Sequence, residues 1–200
     1  MKERPILFSA PMVRAILEGR KTQTRRVIKK QPEIDQKTGD HLVRTSSGEE
    51  VRTIEFWLKG QAVFCKHGKP GDRMYVRETW RRTSHGFPTG WPYEYRATAA
   101  QDGTPTDGNW KPSLFMPREA SRIILDIIDV RVERLNDISE QDAKAEGVSN
   151  ASSFYGIGAN DEMVNRYAFR ELWEKINGAG SWDKNPYVWV IEFKHNKQTV

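Results

Sequence analysis

ILFSAPMVRAILEGRKTQTRRVI, residues 6–28, reads as strand, helix and strand in succession. Ile6-Leu7-Phe8-Ser9 has the short apolar character of a buried strand. Pro11 then stands where a first helical residue belongs, and Met12, Val13, Ile16 and Leu17 recur at helical spacing. Gly19 closes that helix as a C′ residue, and Thr22 to Ile28 returns to extended chain with threonines and β-branched aliphatics.

Outward from this unit, residues 29–70 carry Lys-Thr-Gly-Asp and Ser-Ser-Gly-Glu turn signals and read as a hairpin-rich insertion. Arg73 to Trp80 alternates with period two, putting Met74, Val76, Glu78 and Trp80 on one face. Residues 83–113 are rich in Gly, Pro and Thr and form a long loop with one strand at Tyr93 to Ala97. Arg122 to Leu135 is a long strand. Its apolar phase passes from Ile123, Leu125 and Ile127 to Ile128, Val130 and Val132, the sign of a bulge. Ser139-Glu-Gln-Asp142 starts a short capped helix ending at Gly147. Asp161 to Asn177 is the longest helix, with a stripe of Val164, Ala168, Leu172 and Ile176 flanked by Phe169 and Trp173. Tyr187 to Phe193 is apolar at nearly every position, as in a strand buried on both faces. The order predicts an α+β fold with a small mixed β-barrel and flanking helices.

At 200 residues the chain is sized for one domain, with insertions at about 30–70 and 83–112. It is polar, yet 7 Trp, 6 Tyr and 8 Phe argue against disorder. Its apolar runs are too short for a membrane span, and no apolar signal core follows Met1, so a cytoplasmic location is expected. The single Cys65 agrees with a reducing compartment. Residues 1–82 hold 19 Lys and Arg against 10 Asp and Glu, whereas the remainder holds 13 against 17. Such a basic half with interleaved aromatics fits a nucleic-acid partner, or equally a solvated basic face.

Two features carry chemistry. Gly19-Arg20-Lys21-Thr22-Gln23-Thr24-Arg25-Arg26 packs four cations and two threonine hydroxyls into a helix-to-strand junction. Its plain alternative is a basic turn favoured by the helix C-terminal dipole. Glu78 is an acid on an apolar face, which requires a cation nearby or a raised pKa. With Lys21 as that cation, Lys21, Thr24 and Glu78 would form one polar cluster; a structural salt bridge is the alternative. Cys65-Lys66-His67 lacks further ligands at zinc spacing, and no phosphate loop or Ser/His/Asp pattern occurs, so no metal or cofactor is called for. Trp57, Trp91 and Trp110 are placed to stack on bases, while Trp80, Trp173 and Trp189 belong to the core.

Gly19-x-Lys21-x-x-x-x-Arg26, placed after a strand and a Pro-started helix, resembles the G-x-K-x-x-x-x-R signature of the ASCH domain, a branch of the PUA-like β-barrel superfamily. Arg73-Met-Tyr-Val-Arg-Glu78-Thr-Trp80 resembles a second ASCH signature. Met116-Pro117-Arg118, Ser121-Arg122 and Trp182-x-x-Asn185-Pro186-Tyr-Val-Trp189 resemble larger ASCH proteins of phage and prophage genomes. The resemblance implies a PUA-like barrel and a link to RNA or modified nucleosides. One branch of the family hydrolyses N4-acetylcytidine with a Lys, a Thr and a Glu, roles that would fall on Lys21, Thr24 and Glu78. Arg20, Arg25, Arg26, Arg77, Arg81 and Arg118 are the candidates for contacting substrate or nucleic acid, Arg26 and Arg77 for orienting a substrate or a phosphate. An RNA-binding module or ribonuclease using the basic face is the alternative function.

Overall fold

A computed structural model describes residues 1–29, 31, 33–34, 41–44, 50–51, 65–83, 92–103, 106–148 and 164–196. The elements in chain order are β1 (Glu3–Leu7), α1 (Ala10–Leu17), β2 (Gln23–Val27), β3 (Glu33–Ile34), β4 (His41–Arg44), β5 (Glu50–Val51), β6 (Arg73–Arg77), β7 (Trp80–Arg82), β8 (Tyr93–Tyr95), β9 (Ile124–Arg134), α2 (Glu140–Ala145), α3 (Val164–Asn177) and β10 (Tyr187–Asn196). The architecture is α+β.

The main sheet has five strands in the order β1-β6-β9-β10-β2. β1 and β6 run parallel, and the other neighbours are antiparallel. β3, β4 and β5 form a small separate sheet, and β7 and β8 a two-stranded ribbon. Tyr93–Tyr95 answers the strand expected at Tyr93 to Ala97, and stops two residues earlier. Most of the 30–70 stretch, with Trp57, lies outside the described residues, as do His85 and Trp91.

Two apolar layers sandwich the main sheet. On one face Ile6, Met74, Val76, Leu125, Ile127, Val130, Trp189, Ile191 and Phe193 pack against Val13 and Ile16 of α1. On the other, Val188 and Val190 pack with Phe169 and Trp173 of α3 and Ala143 of α2. Alternating side chains of β10 therefore serve both layers, as its unbroken apolar run requires. A third cluster joins Trp80, Tyr93, Tyr95, Met116 and Ala120 beneath the ribbon.

Pattern and structure differ at two places. The bulge lies in β9, where Ile128 is skipped between the partners of Glu192 and Phe193 and is 58% exposed. Ile128 thus absorbs the phase change rather than joining the second apolar face. In α3 the buried positions are Phe169 and Trp173, whereas Ile176 is 54% exposed. The larger aromatic surfaces gain more from burial and turn the helix by their own i, i+4 register.

The outermost strands, β1 and β2, approach each other although no backbone ladder closes the sheet among the described residues. Arg26 Nη2 of β2 donates to Leu7 C=O at the end of β1, 2.8 Å away, and its guanidinium lies 5.3 Å from the Phe8 ring centre. That bond links the two outermost strands of the sheet through a side chain. No described helix is long and apolar enough to cross a membrane.

Candidate functional site

α1 ends as its sequence dictates, with Gly19 at φ +77°, and delivers Lys21 and Thr24 to the beginning of β2. Both side chains are buried. Lys21 Nζ donates to Glu146 Oε2 and to the Glu146 backbone C=O, each at 2.7 Å, and lies 5.6 Å from the Phe8 ring centre. Burial lowers the Lys21 ammonium pKa, and Glu146 works against that shift. The other Glu146 oxygen accepts from Arg25 Nη1 at 3.2 Å. Arg25, its side chain wholly buried, also reaches Gln23 at 2.6 Å, Glu133 at 3.1 Å and Asp142 at 3.2 Å.

Glu146 owes its position to α2. Ser139 caps that helix by accepting from Asp142 N–H at 3.0 Å, and Gly147 follows Glu146 with φ +80°. A Cβ at Gly147 would stand 2.7 Å from Lys21 Cβ and 2.9 Å from Ala15 Cβ, so a glycine is needed for the end of α2 to approach Lys21.

Glu78 has a different partner. It lies on the expected apolar face and is 1% exposed, but its carboxylate is held by Arg122, Nε at 3.0 Å and Nη2 at 3.2 Å. Arg122 also stacks 4.0 Å from the Tyr95 ring centre and donates to Thr98 Oγ1. Burial raises the Glu78 pKa, with Arg122 opposing. The expectation that Lys21 is the counter-ion of Glu78 is therefore corrected: Lys21 takes Glu146, and Glu78 takes Arg122. Alternation located the buried acid without revealing which cation it meets.

Four consecutive β2 residues, Thr24 to Val27, line a cavity of about 140 Å³ together with Met12, Lys66, Glu146 and the Phe169, Leu172, Trp173, Ile176 and Asn177 side of α3. Residues of both strand faces contribute while β10 covers one strand edge, so the cavity follows the outer edge of β2. Its lining includes a threonine, a glutamate bound to the buried Lys21 amine, and three cations.

The remaining cations have varied settings. Arg20 is exposed and bonds Glu18 and Gly147 C=O. Arg77 donates to Met116 C=O at 2.8 Å, and Arg118 bonds Glu3 at 2.8 Å while lying 5.0 Å from the Tyr75 ring. Arg81 bonds Glu94 and stacks 4.5 Å from the Trp110 ring. Trp80, Trp173 and Trp189 are buried. Among the described residues no cluster of His, Cys, Asp or Glu is arranged to hold a metal ion.

Glu146 and Arg122 are the participants the sequence reading passed over. The signal for Glu146 was its place directly before Gly147, where a helix-ending glycine fixes the acid's direction. Arg122 heads a strand and stands in the Ser121-Arg122 segment of the resemblance, but neither feature points to Glu78 as its partner. Comparison with family models, curated proteins and solved structures finds no match.

Proposed function

We propose that this chain is an ASCH-type, PUA-like protein that hydrolyses the exocyclic amide of an N4-acylated cytidine or a similar modified nucleoside, with the β2 cavity as its active site. One observation carries the reading: Thr24 lies in the wall of a cavity also lined by Glu146, whose carboxylate is 2.7 Å from the buried Lys21 amine. The bond from Arg26 to Leu7 C=O, which links the two outermost strands, supports the barrel part of the proposal.

Thr24 Oγ1 attacks the acyl carbonyl, forming an ester and releasing the cytosine amine, and water then frees the acid. Lys21 accepts the threonine proton and returns it to the departing cytosine nitrogen, and takes a proton from the water in the second step. A neutral amine has two N–H bonds, which the Glu146 carboxylate and carbonyl occupy, and its lone pair remains to act as base. Burial favours that neutral form. Glu146 orients the amine and balances the ammonium charge that appears on Lys21 when the proton arrives. It thus takes the acidic role that the resemblance had assigned to Glu78. Arg25, held by three carboxylates, keeps Glu146 in place.

The test is a panel of acylated and unacylated nucleosides incubated with purified protein, products read by mass spectrometry. Deacylation of N4-acetylcytidine that is lost in Lys21→Met supports the assignment; a panel left wholly intact overturns it. A second reading, RNA binding, is favoured by cations laid on aromatics in one region: Arg81 on Trp110, and Lys111 5.2 Å from the Trp80 ring. It predicts single-strand affinity that falls steeply with salt, and no binding at low ionic strength removes it.

A further inference from the structure

Arg26 and Lys66 are the two cavity cations that form no ion pair among the described residues, although the Glu146 charge acts on Arg26 from further off. Arg26 makes one hydrogen bond, to Leu7 C=O, and its Nε is buried with no partner. Lys66 is exposed, lines the cavity and forms no ion pair among the described residues. Beside them the imidazole of His67 has its Nε2 buried and unpartnered. Burial, and then the charges of Arg26, Lys66 and Arg4, hold the His67 pKa down at about 4. The acids in this region are already engaged. Glu146 gives one oxygen to Lys21 and one to Arg25, and Asp72 bonds Arg4 and the Lys2 N–H. Crowded cations with no anion of their own repel one another, and a bound anion relieves that repulsion.

We propose that Arg26 and Lys66 form an anion subsite, so that the substrate is a phosphorylated pyrimidine nucleoside rather than the free nucleoside. The inference rests on the reading of the β2 cavity as the substrate site. Thr24 and Arg26 project from the same side of β2, two residues and about 7 Å apart along the strand, so one ligand spans both. The cavity is smaller than the roughly 300 Å³ at which pockets for whole ligands begin. It encloses the amide end and leaves the phosphate at the rim, where Lys66 stands exposed. A phosphomonoester carries about two negative charges at neutral pH, which matches one planar guanidinium and one ammonium.

Calorimetric titration of the intact protein with cytidine, cytidine 5′-monophosphate and inorganic phosphate tests this without any turnover. The monophosphate should bind about tenfold or more tightly than cytidine, the effect of one or two charge-assisted hydrogen bonds. That advantage should shrink severalfold in Lys66→Gln, whose side chain is exposed and outside the core, and vanish in Arg26→Gln. The His67 imidazole, followed by NMR, should titrate at higher pH with the monophosphate bound, because a nearby anion favours its charged form. Equal affinity for cytidine and its monophosphate, or an advantage unchanged in both variants, overturns the anion subsite and leaves the amidase reading standing. Failure of all three ligands to bind counts against both.

Discussion

Glu146 serves two cations, and its loss should therefore cost more than the loss of either. Glu146→Gln takes the carboxylate from the buried Arg25 guanidinium and from Lys21 at once, and removing one partner of a buried pair costs about 3–5 kcal/mol. Lys21→Met instead leaves Glu146 paired with Arg25 and fills the space with an apolar chain, so it should cost less, about 1–2 kcal/mol. Urea denaturation of the two variants checks this order, and a larger loss for Lys21→Met contradicts the pairing. At this scale the sequence was legible in kind but not in partner. It marked Lys21, Thr24 and Glu78 as residues needing an explanation, because a cation cluster and an acid on an apolar face are costly without one. Which acid meets which cation depends on where α2 docks, more than 100 positions downstream of Lys21, and local spacing holds no record of that.

Among the elements, α2 decides whether the site exists. Gly147 ends it with a positive φ and touches Lys21 and Ala15, whereas Gly19 ends α1 with a similar φ and has open space where a Cβ would go. Gly19→Ala should cost about 1 kcal/mol from backbone strain alone. Gly147→Ala adds a clash that moves the end of α2 and Glu146 with it, so it should cost about 2–3 kcal/mol and also lower turnover. Thermal melts of the pair test the difference, and equal melting temperatures would contradict the close approach. Caps and glycine stops were readable in α1 and α2 because they are local chemistry. α3 was read with its stripe one residue out of phase, since small aliphatics and large aromatics share neighbouring positions and only packing against Val188 and Val190 settles which row faces inward. The bulge in β9 was foreseen, but that Ile128 would be the exposed residue was set by the register of β10.

Across the whole molecule, acid stability separates two groups tied to the cation-rich region. His67 has its folded pKa depressed to about 4 from 6.5, so the unfolded chain takes up the proton first as pH falls. Stability should decline from about pH 6.5 to 4 by about 1–2 kcal/mol, less than the full shift implies because the ring is partly exposed. Below that window Asp72, held at about 2 chiefly by the Lys2 N–H and also by Arg4, loses its contribution as pH falls from about 4 towards 2. Glu78, with a raised pKa, acts in the opposite sense, so the comparison must be with a variant. His67→Gln should flatten the first decline only; an unaltered pH profile contradicts the buried neutral imidazole.

The α+β order of elements and the two-faced burial of β10 were visible from patterning, whereas the side-chain link from β2 to the end of β1 was not, because Arg26 and Leu7 stand 19 positions apart with a helix between them. The most direct measurement of the central claim is acetate release from N4-acetylcytidine by the wild-type chain, Thr24→Ser and Thr24→Ala under identical conditions. A nucleophilic hydroxyl in the β2 cavity predicts release by the wild type, a substantial part of it retained by serine, and a fall of about 100-fold or more in alanine. Release by Thr24→Ala at the wild-type rate, or none from the wild type, would contradict it.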